Sequence, residues 1–355
     1  MNHPNNNRFL RFFTRNKNVV PKIRNFFTFM GIIFIIIVIL ELSLSPSSLH
    51  DIHLEGESGG DVYEHRYDPY TGFSTTLRDT KNNCAYDDSI QIHIYGGSTT
   101  WGDRVEYDKT YPSFISEILC DKNVNVNVTN YGQLAYTNTQ SIIKFILNLK
   151  RDNVPNIVIF YDGVNEIPAE PGLPMEKMTE DVVEYAFSQS TLFSAKRQLF
   201  SVFGGNRINS MRILDNYFEK FQRHHRDYDD DTSRYLEILN NYFENLRLIK
   251  SLENEYGFTS IFYWQPNLAT KEELSTKEKQ FLFDDDLTGW LDEYFAFYNA
   301  TAEKIETTKK IIDLTDLFDD HPGTIYLDDC HKNEEGNRIL AERMVEDILK
   351  TIDDG

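Results

Sequence analysis

The sequence predicts an α/β fold with a central parallel sheet flanked by helices. Segments with a strand-like pattern alternate with segments whose apolar residues recur every three or four positions, which is typical of β-α-β units. Residues 156–161 form a short apolar run between Pro155 and Asp162-Gly163, the pattern of a central parallel strand that is buried on both faces. Together these observations argue for one parallel sheet with helices packed on it.

The individual elements follow the same alternation along the chain. The helix over residues 233–256 is the clearest, because its apolar residues keep three-and-four spacing and Gly257 is well placed to end it. The strand over residues 124–128 shows the period-two alternation of a half-buried strand. In full, we predict strands at residues 90–95, 124–128, 156–161, 259–264 and 310–314, and helices at residues 110–120, 139–151, 233–256, 287–308 and 334–350.

One connection is much longer than the others. Residues 168–231 separate the third predicted strand from the next helix, whereas most connections in α/β units span only a few residues. We interpret this segment as an insertion near the ligand-binding face, partly helical, that forms a lid or a substrate-binding cap.

The N-terminal region predicts a membrane anchor. Residues 1–25 carry six basic and no acidic side chains and are interpreted as a cytoplasmic tail. Residues 26–44 are apolar except for Thr28, Glu41 and Ser43, and we favour an uncleaved transmembrane signal-anchor over a cleaved signal peptide, because Pro46 disfavours cleavage. The positive flank places the N-terminus in the cytoplasm and the remainder outside. Residues 45–66 are interpreted as a linker and residues 67–352 as the folded domain.

Charge and cysteine content narrow the possible ligands. The net charge is −20 despite the basic N-terminus, so the folded domain is strongly acidic and is not expected to bind nucleic acid. Of the three cysteines, we favour a Cys84–Cys120 pair in an oxidising compartment, because Cys330 lies in a candidate site loop. No cysteine pair has metal-ligand spacing, and His224-His225 is interpreted as part of a solvated loop, so we predict no metal site.

The candidate catalytic residues lie at the ends of predicted strands. Ser98 follows Gly96-Gly97, and the glycines allow a sharp turn that exposes a nucleophilic side chain. Asp328 precedes His331 by three residues, so that one turn can bring the carboxylate to the imidazole and support it as a general base. Ligands bind at the carboxyl ends of strands in open parallel sheets, so these groups are expected to meet. Each motif alone is equally typical of an ordinary polar turn.

Two further positions are candidates for the oxyanion hole. Asn165 follows the buried strand 156–161, and Gly132 ends the strand 124–128. The Asn165 side chain, with the backbone N–H groups of Gly132 and Ser98, would provide three donors to a developing oxyanion. Both residues are also common in turns. Four more residues near strand ends are candidates for the substrate pocket, although a structural role is equally compatible with Trp264; the four are Trp101, Glu166, Trp264 and Gln265.

At these positions the chain resembles the SGNH (GDSL-type) hydrolase family, whose four sequence blocks contribute a Ser, a Gly, an Asn and a His. Ser98, Gly132 and Asn165 match the first three, and Asp328 and His331 match the Asp-x-x-His of the last. The resemblance implies a three-layer, flavodoxin-like fold and Ser-His-Asp chemistry on esters without a cofactor. The chain departs from the pattern at Gly97, where the family has an acidic residue, and at Glu166, where many members have Asp.

Three functions are compatible with these residues. The first is a serine esterase that removes acyl groups, with acetyl groups expected, from a glycan or another extracytoplasmic ester. The second is an O-acyltransferase that uses the same residues with a sugar hydroxyl as acceptor. The third is a non-catalytic binding or assembly protein on the same scaffold, since a fold does not fix a function.

Overall fold

The computed structural model of the 355-residue chain describes residues 53–81, 84–167, 231–283 and 285–354. The predicted tail 1–25, the predicted anchor 26–44 and all but the last residue of the predicted insertion 168–231 lie outside these residues. In the described part of the chain, none of the helices combines the length and apolar character that a bilayer span requires.

The described strands form two sheets. The small sheet is antiparallel, in the order β1-β2-β3, and the large sheet has five strands in the order β5-β4-β6-β7-β8. The strands are β1 (His53–Ser58), β2 (Asp61–Asp68), β3 (Gly72–Thr75), β4 (Ile90–Gly96), β5 (Val126–Asn130), β6 (Ile157–Asp162), β7 (Thr259–Trp264) and β8 (Ile312–Asp313).

Every neighbouring pair in the large sheet is parallel, which confirms the predicted α/β class. Numbered within this sheet alone, the strand order is 2-1-3-4-5, the flavodoxin-like order of doubly wound folds. Strand β5 begins two residues later than predicted, because the backbone N–H of Val124 is donated to the Leu119 carbonyl at the end of the preceding helix.

Helices cover both faces of this sheet. They are α1 (Ser98–Trp101), α2 (Tyr111–Asp121), α3 (Asn138–Leu149), α4 (Asp231–Tyr256), α5 (Glu278–Phe281), α6 (Asp285–Thr308) and α7 (Glu334–Asp354). One apolar core joins Phe160 and Phe262 of the sheet to α3, α4 and α6. A second core joins Ile159 and Tyr263, on the opposite face, to α2 and α7. The result is the predicted three-layer arrangement.

The predicted linker 45–66 needs correction, because its second half is folded. Residues Gly59 and Gly60 form a two-residue hairpin turn between β1 and β2, with φ of +57° and +81°. Positive φ at both turn positions is the geometry that glycine pairs favour in hairpins. The Gly59-Gly60 pair is thus a local hairpin signal within the residues that the sequence analysis assigns to the linker.

A disulfide joins Cys84 to Cys120, as the sequence analysis favours, and Cys330 is a free, buried thiol. The bond connects the segment before β4 to the last turn of α2. It therefore joins the end of α2 to the segment that leads into β4, on the far side from the candidate site.

A fully buried ion pair supports the segment before Asp328. The Nζ of Lys271 donates to Glu278 Oε2 at 2.9 Å and to the carbonyl of Gly323 at 2.8 Å. Glu278 Oε1 accepts the backbone N–H groups of Ile325 and Tyr326. Burial raises the pKa of Glu278, but the hydrogen bonds from Lys271 and from the backbone lower it more, to about 2.

We expect Lys271→Met to destabilise the fold by roughly 3–5 kcal/mol, because it leaves the Glu278 carboxylate buried without its counter-ion. Urea unfolding gives the free energy of unfolding. Lys350→Met is the control, since its side chain is 71% exposed beside Asp347, and it should cost less than about 1 kcal/mol. Equal effects of the two substitutions would contradict the account.

Candidate active site

Ser98 is the first residue of α1, directly after the turn that ends β4. The turn contains glycines because neighbouring atoms lie too close to leave room for a Cβ. A Cβ on Gly96 would lie 2.4 Å from the carbonyl oxygen of Tyr161, and one on Gly97 would lie 2.2 Å from Nδ2 of Asn165. The backbone of β6 therefore requires glycine at position 96, whereas a side chain at position 97 would displace the amide of Asn165. This contact brings Ser98 beside Asn165.

The structure brings the three predicted catalytic residues into one hydrogen-bonded chain. His331 Nε2 lies 2.7 Å from Ser98 Oγ, and His331 Nδ1 lies 2.8 Å from Asp328 Oδ2. The second carboxylate oxygen of Asp328 accepts the backbone N–H groups of Cys330 and His331 at 3.0 and 2.7 Å. The Asp328 carboxylate therefore fixes both the imidazole and the turn that carries it.

The environment keeps Asp328 ionised. Burial alone raises the pKa of this carboxyl, but the hydrogen bond and the charge of His331, with two backbone N–H groups, lower it well below its ordinary value. An ionised carboxylate at Nδ1 holds the imidazole in the tautomer whose Nε2 accepts a proton. His331 is thus arranged as a general base toward Ser98.

Two of the three predicted oxyanion donors are free to act. Asn165 Nδ2 donates one hydrogen to the Tyr136 carbonyl at 2.9 Å, which leaves its second hydrogen available. The N–H of Ser98 stands at the first position of α1, where no intrahelical acceptor exists. The N–H of Gly132 differs, because it is donated to Asn130 Oδ1 at 2.9 Å.

Gly132 is required for another reason. A Cβ at this position would lie 2.3 Å from the backbone nitrogen of Trp101. The neighbouring Asn130, which the sequence analysis did not select, donates Nδ2 to the carbonyl of Thr100 at 2.8 Å. The loop after β5 therefore packs directly on α1 and holds the serine turn in position.

The four predicted pocket residues are buried rather than exposed to a ligand. Trp101 donates its indole N–H to the Thr76 carbonyl at 2.9 Å and is 1% exposed. The Trp264 ring packs against Tyr242 and Phe297, and Gln265 is 2% exposed. Trp264 also lines a cleft of about 240 Å³ beside β8, but neither Ser98 nor His331 lines that cleft.

Glu166 fixes the loop that carries Asn165 to the start of α3 by a hydrogen bond. Its carboxylate accepts the backbone N–H of Asn138 at 2.6 Å, and the Asn138 side chain donates to Asp162 at 2.8 Å. Burial raises the pKa of Asp162 to about 7, and burial together with the charge of Asp162 raises the pKa of Glu166 to about 8. The pair is therefore not a substrate contact but a buried acid pair that retains protons near neutral pH.

Two charged residues of the site escaped the sequence analysis. Arg104 Nε lies 2.9 Å from Asp328 Oδ2, and Asp103 Oδ2 lies 3.6 Å from His331 Nε2. Both belong to the loop that follows α1. The positive φ of Arg104, +68°, is unusual for a non-glycine residue, and no periodicity or motif in the sequence indicates it.

The fold and these contacts define a Ser-His-Asp site at the carboxyl edge of a doubly wound parallel sheet. No protein-family model matches the chain, and no curated protein sequence matches it. The chain is similar in structure to an acetyl xylan esterase, AlAXEase (15% identity, 73% of this chain and 100% of the other, TM-score 0.38).

It is similar also to the acetylxylan esterase Axe2 from Geobacillus stearothermophilus (14%, 75% and 95%, TM-score 0.36) and to the lipase Lip_vut3 from a goat rumen metagenome (12%, 72% and 96%, TM-score 0.41). Identities this low, with TM-scores below 0.5, do not establish an activity. The activity has to follow from the side chains of this chain.

The buried pair of Asp162 and Glu166 should make the stability of the fold depend on pH. Because the folded pKa of Glu166 lies above its ordinary value of 4.5, the pair stabilises the fold fully at low pH and loses this contribution as pH rises toward 8. We expect Glu166→Gln, which keeps the acceptor for Asn138, to gain stability over the wild type by roughly 1 kcal/mol or more between pH 4 and pH 8.

Urea unfolding at both pH values measures this gain. The control is Glu342→Gln on the exposed face of α7, for which the difference from the wild type should not change with pH. A Glu166→Gln variant that loses stability relative to the wild type as pH rises would refute the buried acid pair.

Proposed function

We propose that this protein is a serine hydrolase of acyl esters. The observation that carries the proposal is the chain of two hydrogen bonds from Asp328 through His331 to Ser98, with Asn165 beside the nucleophile. A hydroxyl becomes an effective nucleophile when a positioned base takes its proton. A carboxylate or a histidine with a purely structural role would not need to be aligned with a serine hydroxyl in this way.

The geometry supports a two-step reaction. His331 Nε2 takes the Ser98 proton as Oγ attacks the ester carbonyl, and the oxyanion is stabilised by the Ser98 N–H and the Asn165 side chain. The imidazolium then gives that proton to the departing alkoxide, which leaves as an alcohol, and the acyl group remains bonded to Ser98 Oγ. In the second step water attacks the acyl-serine by the same route of proton transfer. The carboxylic acid is released and Ser98 is restored.

For the substrate, we propose small acyl groups, such as acetyl, on an extracytoplasmic glycan. Two features support the location. Residues 26–44 are suited to a signal-anchor with a basic cytoplasmic flank, and the Cys84–Cys120 bond is typical of proteins outside the reducing cytosol. Protease added to intact cells should digest the C-terminal domain, and its protection would contradict this topology.

Covalent labelling tests the nucleophile. We expect the full-length protein to react with a fluorophosphonate probe at Ser98 and to hydrolyse acetyl esters. Ser98→Ala should abolish labelling and reduce turnover by at least about 10³-fold, because no other group attacks the carbonyl. Ser89→Ala, outside the site, is the matched control.

Labelling at another residue, or equal turnover by Ser98→Ala and wild type, would refute the proposal. Labelling of Ser98 with turnover only after a sugar acceptor is added would replace hydrolysis by acyl transfer. Absence of labelling in a folded protein would favour a binding role on this scaffold.

The oxyanion donor has its own test. We expect Asn165→Ala to lower kcat by roughly 10²–10³-fold with little change in KM, because its hydrogen bond forms in the transition state. Asn153→Ala, an exposed residue after α3, should leave both parameters unchanged. A loss confined to KM would assign Asn165 to substrate binding instead.

A further inference from the structure

The loop that follows α1 adds two charges to the catalytic pair. Asp103 Oδ2 lies 3.6 Å from His331 Nε2, the same nitrogen that contacts Ser98 Oγ at 2.7 Å. Arg104 Nε lies 2.9 Å from Asp328 Oδ2, the oxygen that contacts His331 Nδ1. The imidazole is therefore placed between two carboxylates, one at each nitrogen, and a guanidinium accompanies the carboxylate at Nδ1.

The net charge of this group becomes zero when the imidazole takes the proton of Ser98. With His331 neutral, the two carboxylates and Arg104 leave one net negative charge. With His331 protonated, the group is neutral. Two further titratable groups of its own loop act on the imidazole: Asp329 interacts with it electrostatically, and Cys330 Sγ lies 3.7 Å from His331 Nδ1. Among the described residues, Asp103 is the carboxylate that contacts Nε2.

The small N-terminal sheet fixes Asp103. Ser58, the last residue of β1, donates its hydroxyl to Asp103 Oδ1. The same hydroxyl oxygen accepts the backbone N–H of Arg104 at 2.7 Å. The turn after Ser58 is pressed on this loop so closely that a Cβ on Gly59 would lie 1.8 Å from the carbonyl oxygen of Val105. One hydroxyl therefore positions both charged residues.

A buried arginine holds the two parts together. The guanidinium of Arg78, whose side chain is 2% exposed, pairs with Asp61 at 2.6 Å at the start of β2. It also donates to the carbonyls of Gly102 and Val105, which frame the loop, and lies 4.3 Å over the ring of Trp101 in α1. These contacts make the hairpin a rigid support for the loop rather than a separate appendage.

We propose that Asp103 is a further catalytic carboxylate, which stabilises the imidazolium at Nε2, and that Ser58 is the positioning residue that delivers it. The inference rests on the proposed serine hydrolase function. During acylation the proton moves from Ser98 Oγ to His331 Nε2 and on to the leaving alkoxide, and Asp103 remains ionised throughout. The N-terminal hairpin is thereby part of the active site.

Titration of His331 tests the inference without requiring turnover. NMR follows the imidazole of the full-length protein, and its signal is assigned by its loss in His331→Gln. We expect Asp103→Asn to lower the titration midpoint by about one pH unit, because it removes a nearby opposite charge. Arg104→Gln should shift the midpoint in the opposite direction. The charge-matched control Asp121→Asn, at the exposed end of α2, should leave it unchanged.

The role of Ser58 follows from a double-mutant cycle. Ser58→Ala should lower the midpoint less than Asp103→Asn does, and it should have no further effect in the Asp103→Asn background. A general loosening of the fold would instead act in both backgrounds. The inference would be overturned if His331 had the same titration midpoint in Asp103→Asn as in Asp121→Asn. It would also be overturned if Asp103→Asn and Arg104→Gln shifted that midpoint in the same direction.

Kinetics separate this inference from the proposed function. If both hold, Asp103→Asn moves the acid limb of kcat/KM to lower pH by the shift seen in the titration, and Ser98 remains labelled by fluorophosphonate. Expected titration shifts without ester turnover or labelling in the wild type would refute the hydrolase and retain the charge arrangement. Normal turnover with unchanged titrations would refute the role of Asp103 alone.

Discussion

The hydrogen bond between Ser98 and His331 joins two residues that are 233 positions apart in the chain. Both ends of this contact depend on backbone segments that have little freedom. The serine stands on a turn where Gly96 must be glycine because it packs against the backbone of β6. The histidine stands on a loop in which the Asp328 carboxylate also accepts a backbone N–H. The rest of the fold holds these two segments so that Ser98 Oγ and His331 Nε2 stay within hydrogen-bond distance.

The support comes from two regions of the fold. On the serine side, Asn130 holds the backbone of α1 from the loop after β5, and Gly132 lets that loop come close. On the histidine side, the buried Lys271–Glu278 pair fixes the backbone of residues 323–326. Two segments with different neighbours are thus held rigidly, as a preorganised proton-transfer geometry requires.

Much of this arrangement was predictable from sequence. The strand and helix periodicities gave the parallel sheet, because buried strands and amphipathic helices have distinct patterns. Ser98 and Asn165 were predictable because each follows a strand end, and such ends meet at one edge of a parallel sheet. Asp328 and His331 were predictable because their Asp-x-x-His spacing occurs just before the last helix. The structure brings all four together.

The remaining features depend on tertiary contacts that leave no local pattern. The burial of Trp264 and Glu166 results from packing by residues distant in sequence, so their position beside strand ends misled the pocket prediction. Asp103 and Arg104 are positioned at the site by the Ser58 hydroxyl. Ser58 lies on a hairpin whose Gly59-Gly60 turn was interpreted as a linker.

The central claim is that Ser98 attacks an ester carbonyl whose oxygen is received by Ser98 N–H and Asn165. A crystal structure of the phosphonate adduct tests it most directly. The account predicts a phosphorus–Oγ bond at Ser98, with the phosphoryl oxygen about 2.7–3.1 Å from both the Ser98 nitrogen and Asn165 Nδ2. An adduct on another residue, or a phosphoryl oxygen directed away from these two donors, would contradict it.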